Sequence, residues 1–85
     1  MARLFFDTSI DGSHMLDRDG LEYADLTRAL RDARASLAAL VAEALGQDTD
    51  HDAHHCAITV RDDRGEVVTR LHAELREERG TSSGV

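Results

Sequence analysis

Apolar and polar positions change their period along this chain, and each change marks an element. Arg3-Leu4-Phe5-Phe6-Asp7 alternates with period two: Leu4 and Phe6 share one face, and Phe5 points to the other between Arg3 and Asp7. Asp11-Gly12 is a hairpin-turn dipeptide. It predicts a return strand over residues 14–18, with a second turn at Asp19-Gly20.

From Leu26 the period becomes helical. Leu26, Leu30, Ala33, Leu37, Leu40, Val41, Ala44 and Leu45 recur at spacings of three and four. Asp25 supplies a short side-chain acceptor where an N-cap belongs, and Gly46 stands where a left-handed C′ residue would end the helix. Arg28, Arg31, Asp32, Arg34 and Glu43 fall mostly off the stripe. The abundant Ala favours helix and allows close approach to a sheet.

Residues 47–53 read as a polar loop. Cys56, Ile58 and Val60 then alternate with His55, Ala57, Thr59 and Arg61, the pattern of a half-buried strand. Asp62-Asp63-Arg64-Gly65 reads as a turn with a bulge. It leads into a final strand with Val67, Thr69, Leu71, Ala73 and Leu75 inward. Val67, Val68, Leu71 and Leu75 also fit a helical period, so residues 67–78 are read as strand with a partly helical alternative. Residues 77–85 read as a disordered tail and 1–76 as a single domain.

The expected fold is α+β, in the order ββαββ: one long helix packed across a small antiparallel sheet of two hairpins. The far sheet face is then uncovered and carries Phe5, Ala57, Val68 and His72 among Arg3, Thr59, Arg61 and Arg70.

Size and charge narrow the functions. Eighty-five residues bury only about 60% of the unfolded surface, so self-association is a common remedy for marginal stability. All ten basic residues are Arg and are spread along the chain, against 17 Asp and Glu, for a net charge of −7. Such a chain repels phosphate, so no nucleic-acid partner is expected. One Cys excludes an internal disulfide framework. No apolar run approaches the length of a membrane span, and the chain reads as soluble and cytoplasmic.

Three motifs stand in order: Arg3-Leu4-Phe5-Phe6-Asp7; the acidic stretch from Asp17 to Leu26 with its Gly20 and its Asp25-Leu26 helix start; and Ile58-Thr59-Val60-Arg61-Asp62-Asp63-Arg64-Gly65-Glu66-Val67. Together they resemble a small bacterial family, domain of unknown function six-eight-nine-four. The likeness covers about residues 2–76. The chain departs from the pattern in its His/Asp-rich loop, 48–55. The resemblance implies a small soluble cytoplasmic protein and assigns no catalytic residues.

The densest ligand cluster is Asp48, Asp50, His51, Asp52, His54, His55 and Cys56. His51, His54 and His55 are the candidate metal ligands, for Zn²⁺ or Ni²⁺. Against this, adjacent strand residues point to opposite faces, so His54 and His55 diverge, and Cys56 falls on the apolar side. Asp48-Thr49-Asp50-His51-Asp52 and Asp7-Thr8-Ser9-Ile10-Asp11-Gly12 each resemble the start of a calcium loop but lack its closing Glu, and are read as turns. Ser9, Ser13 and Ser36 lack a nucleophile context, and no Gly-rich phosphate loop exists. Phe5, Val68 and His72 are the candidate interface residues on the uncovered face.

The sequence therefore predicts a non-enzymatic protein–protein interaction or regulatory module, a homodimer through the open face or an edge strand, with a further protein partner of unknown kind and no cofactor. A metal-binding protein using loop 48–55 is the first alternative. An antitoxin-like regulator linked to nucleic acid is the second.

Overall fold

The structure, a computed structural model, describes residues 2–47 and 53–78. Strand β1 (Ala2–Ile10) is followed by β2 (Ser13–Met15) and β3 (Leu21–Tyr23), then helix α1 (Leu26–Gln47), then β4 (Ala53–Arg61) and β5 (Val67–Arg76). The strands form one antiparallel sheet in the order β2-β1-β4-β5, with β3 also pairing β1. The fold is α+β: among the described residues, a single helix on a five-stranded antiparallel sheet.

The first hairpin follows from its turn residues. Asp11 and Gly12 both have positive φ, 48° and 88°, between partners Ile10 and Ser13. A two-residue turn of this hand matches the twist of antiparallel strands. The return strand is shorter than the alternation predicts, and a further strand follows it. The chain leaves the ladder after Met15 because the Asp17 side chain hydrogen-bonds β1 in place of main chain. It rejoins at Leu21, so that Leu4 pairs Leu21 and Ala2 pairs Tyr23.

Helix α1 starts as its cap predicts: Asp25 Oδ1 accepts the Arg28 N–H at 2.8 Å. Its buried line is Ala29, Ala33 and Ala44, with Leu37 and Leu40 packed against the core. The small Ala side chains let the helix settle onto Ile58 and Val60, which are fully buried. Leu26 and Leu45, expected in the stripe, are 48% and 62% exposed, since they lie in the terminal turns away from that centre. Gly46 is not a left-handed C′ residue; the helix runs through it to Gln47.

Residues 67–76 are strand throughout. The turn before them is built by Asp62, whose Oδ1 accepts the N–H groups of Arg64 and Glu66, and by Gly65 at φ 84°. A register shift at Val60/Arg61 pairs Val60 with Thr69 but Arg61 with Val67, leaving Val68 as the extra residue. The expected inward set changes accordingly. Thr69, Leu71, Ala73 and Leu75 lie on the helix side, while Val67 stands opposite Arg61 on the other face.

Candidate functional site

The uncovered sheet face is set by strand alternation. Phe5 pairs Arg61, Asp7 pairs Thr59, Ser9 pairs Ala57, and Ala57 in turn pairs His72. These residues share the face opposite the helix. A groove of about 580 Å³ runs across it, lined among others by His14, His55, His72, Thr59, Arg61 and Arg70. The Arg residues that look scattered along the chain therefore converge here in part.

At one end of the groove lies a polar node. Arg61 donates from Nε and Nη2 to the two carboxylate oxygens of Asp7, and Nη2 also donates to the Asp17 carbonyl at 3.2 Å. Its guanidinium carbon lies 5.1 Å from the centre of the Phe5 ring. Asp17 Oδ2 accepts the Phe6 N–H at 3.0 Å, and Oδ1 accepts those of Gly20 and Asp19 at 3.0 and 3.2 Å. The Asp17 N–H donates to Asp7 Oδ1 at 2.9 Å.

The charges in this node are fixed by their partners. The Arg61 hydrogen bond holds the Asp7 carboxyl below its ordinary value, against the opposing effect of burial. Burial pushes Asp17 up, but the N–H groups of Gly20, Phe6 and Asp19 together outweigh it and the net shift is down. Asp7 in turn raises Arg61. Neither carboxylate is tuned as a proton donor or acceptor near neutral pH.

At the groove's other end His55 Nε2 and His72 Nδ1 are 3.1 Å apart, and the rings stack with centroids at 5.2 Å. Which of the two nitrogens donates is set by the tautomers of the rings. Between the two ends, Arg70 Nε donates to Thr59 Oγ1 at 3.1 Å.

His54 faces the helix side and is buried. Its Nδ1 is 2.7 Å from Asp11 Oδ2. Asp11 Oδ1 accepts the His55 N–H, and the Asp11 N–H donates to the His55 carbonyl, both at 2.8 Å. One carboxylate thus ties the first hairpin to β4. Cys56 is fully buried, and burial followed by the Asp11 charge raises its thiol, so it stays protonated.

Two of the three metal candidates can be placed. His54 and His55 point to opposite faces, and His51 lies outside the described residues. Among the described residues no group of three or more His, Cys, Asp or Glu is arranged to hold a metal ion. Of the interface candidates, Phe5 and His72 share the uncovered face and Val68 sits at the bulge. Phe5 is half-buried beneath Arg61, whereas Val67 and Val68 are 52% and 39% exposed. Sequence reasoning missed the His55–His72 contact and the Asp7–Arg61–Asp17 node. The His pair is diagonal across β4 and β5, and the bulge removes any register counted from the turn.

In comparison with known proteins, the family model described as domain of unknown function (DUF6894) matches residues 3–74. No curated protein and no solved structure matches.

Proposed function

The chain belongs to the DUF6894 family, and from its own residues we propose that it is a non-enzymatic protein–protein interaction or regulatory module that self-associates in the cytoplasm. The observation that carries this reading is the one-sided sheet. One face is covered by α1; the other keeps a groove rimmed by exposed apolar side chains, Met15, Leu16 and Val67. A small domain gains stability by covering such surface with a partner.

The chemistry of the face supports binding over catalysis. Asp7 and Arg61 hold each other rather than standing ready for a substrate, and the only thiol is buried. No helix among the described residues is long and apolar enough to cross a membrane, in keeping with a cytoplasmic site of action. A metal-binding role through His51, His54 and His55 gains nothing from the divergent His54 and His55. A nucleic-acid role is opposed by the net charge of −7.

Sedimentation equilibrium over a wide concentration range tests self-association. The expected result is a reversible dimer. A strict monomer at the highest attainable concentration sinks the reading. Met15→Asp, which places charge on the exposed rim away from β5, then separates a contact through the face from one through the β5 edge: only the former weakens with this variant.

A further inference from the structure

The sheet ends on β5, and among the described residues nothing pairs with its outer side. Which main-chain groups point outward follows from the ladder. The Asp11 N–H donates to the His55 carbonyl, so the main chain of His55 faces β1. Alternation then turns Cys56 and Ile58 towards β5, where their partners Ala73 and Leu71 face back. The N–H and C=O groups of Arg70, His72, Glu74 and Arg76 are left directed at the free edge. Open edges of this kind are templates for another strand.

We propose that a second copy of this chain pairs with β5 antiparallel, in the register centred on His72. This rests on the self-association reading and gives it a partner and a geometry. Two-fold symmetry and the outward main-chain groups permit only registers that step by two residues. Centred on His72, each Arg70 faces the partner's Glu74, and each Glu74 faces the partner's Arg70. Shifted one step, Arg70 faces the partner's Arg76. Shifted the other way, Arg70 faces the partner's His72 and Val68 faces the partner's Glu74. Of these three registers, only the central one sets opposite charges within β5 across the symmetry axis twice.

The same register suits both faces of the strand. On the helix side Leu71 lies beside the partner's Ala73, and Leu75 beside the partner's Thr69. These side chains are half-buried in the single chain, and pairing covers them further. On the other side His72 meets the partner's His72, each ring already stacked on its own His55. The two sheets join into one, with both helices on one face and both grooves on the other.

The test is a charge swap read by sedimentation equilibrium at low salt. Glu74→Arg and Arg70→Glu each replace two opposite-charge contacts by two like-charge contacts, and each is expected to weaken the dimer about tenfold or more. Combining them restores the opposite pairs, and the double variant is expected to return to within about threefold of the original constant. Both residues are exposed, and circular dichroism confirms that each variant folds. A dimer indifferent to the single changes, or a double variant no tighter than the singles, overturns the register while leaving self-association standing. A monomeric parent protein overturns both.

Discussion

The two sides of the sheet end differently: one ends on the three-residue strands β2 and β3, the other on the ten-residue β5. Along β1 the main chain is completed by β2, by β3 and, where these leave a gap, by the carboxylate of Asp17. Along β5 nothing described completes it. The first side uses charged groups as mortar: Asp7, Asp17 and Arg61 hold one another and the backbone. The second presents its charges, Arg70 and Glu74, outward. The same residue types therefore have opposite meanings. On the closed side they stabilise the fold, and on the open side they select a partner.

The sharpest way to break this contrast is at Gly20. Its φ is +67°, and a Cβ there would lie 2.9 Å from the Leu4 carbonyl oxygen, 2.9 Å from Phe5 Cε2 and 3.0 Å from Arg3 Cγ. Gly20→Ala combines left-handed strain with overpacking and is expected to cost roughly 3 kcal/mol or more. In a domain of this size each kcal/mol lowers Tm by about 4 to 8 °C. Gly12→Ala has positive φ but open space around it, so it costs only the strain, about 1 to 2 kcal/mol. Equal losses at the two positions would mean that the loop from Leu16 to Gly20 is not pressed against β1 as described.

Asp17→Ala comes next. It removes the acceptor for three backbone N–H groups, and urea unfolding is expected to show a loss of about 2 to 3 kcal/mol. The pH dependence gives a second reading of the same node. Asp7 and Asp17 both titrate below their ordinary value of 3.8 in the folded chain. Folding therefore lowers their proton affinity, and their contribution is complete well above that value. It is lost as the pH falls through the lower folded values. Stability should decline in acid below about pH 4, and Asp17→Asn should flatten that decline. An unchanged acid limb would remove Asp17 from the closed side.

Much of this architecture is legible in the sequence, and the misses in the sheet have one cause. The helix cap at Asp25, the Asp11-Gly12 turn and the alternation of Cys56, Ile58 and Val60 are local signals, and each specifies its element. The Asp17 turn and the Val68 bulge are different, because each breaks a ladder whose partner is distant in sequence. Asp17 reads as strand or turn until Phe6 lies beside it. Val67 reads as inward until Arg61 is its partner. The site is less legible for the same reason: His55 and His72 meet only once β4 and β5 are in register, and Asp7, Arg61 and Asp17 only once three segments converge. Ala29, fully buried, escaped the stripe because Leu30 beside it continues the spacing from Leu26 with a larger apolar side chain.

Tyr23 sharpens the comparison from inside the core. Its ring stacks on Phe6 with centroids 5.8 Å apart, and its hydroxyl donates to Asp32 Oδ2 at 2.9 Å. Burial, then the Asp32 hydrogen bond, push the phenol up to about 12 from its usual 10.0. The folded chain favours the neutral phenol, so stability is lost as the pH rises from 10 towards 12. Ultraviolet titration should show ionisation near 12 in the native protein and near 10 in urea. Tyr23→Phe keeps the stack and leaves Asp32, which is exposed, to water. The expected cost is about 1 kcal/mol, smaller than that of Asp17→Ala because one hydrogen bond is lost rather than three.

The smallest expected effect lies on the open side, and it bears most directly on the contrast. Arg70 donates to Thr59 Oγ1 on an exposed surface. At concentrations low enough to keep the chain monomeric, Arg70→Ala should change unfolding free energy by no more than about 0.5 kcal/mol. At concentrations where dimers form, it removes the cation facing the partner's Glu74, and the melting temperature should then rise less steeply with concentration than in the parent. A large loss in the dilute monomer would place Arg70 with Arg61, as part of the fold rather than of the contact. The two edges would then no longer differ in what their charges do.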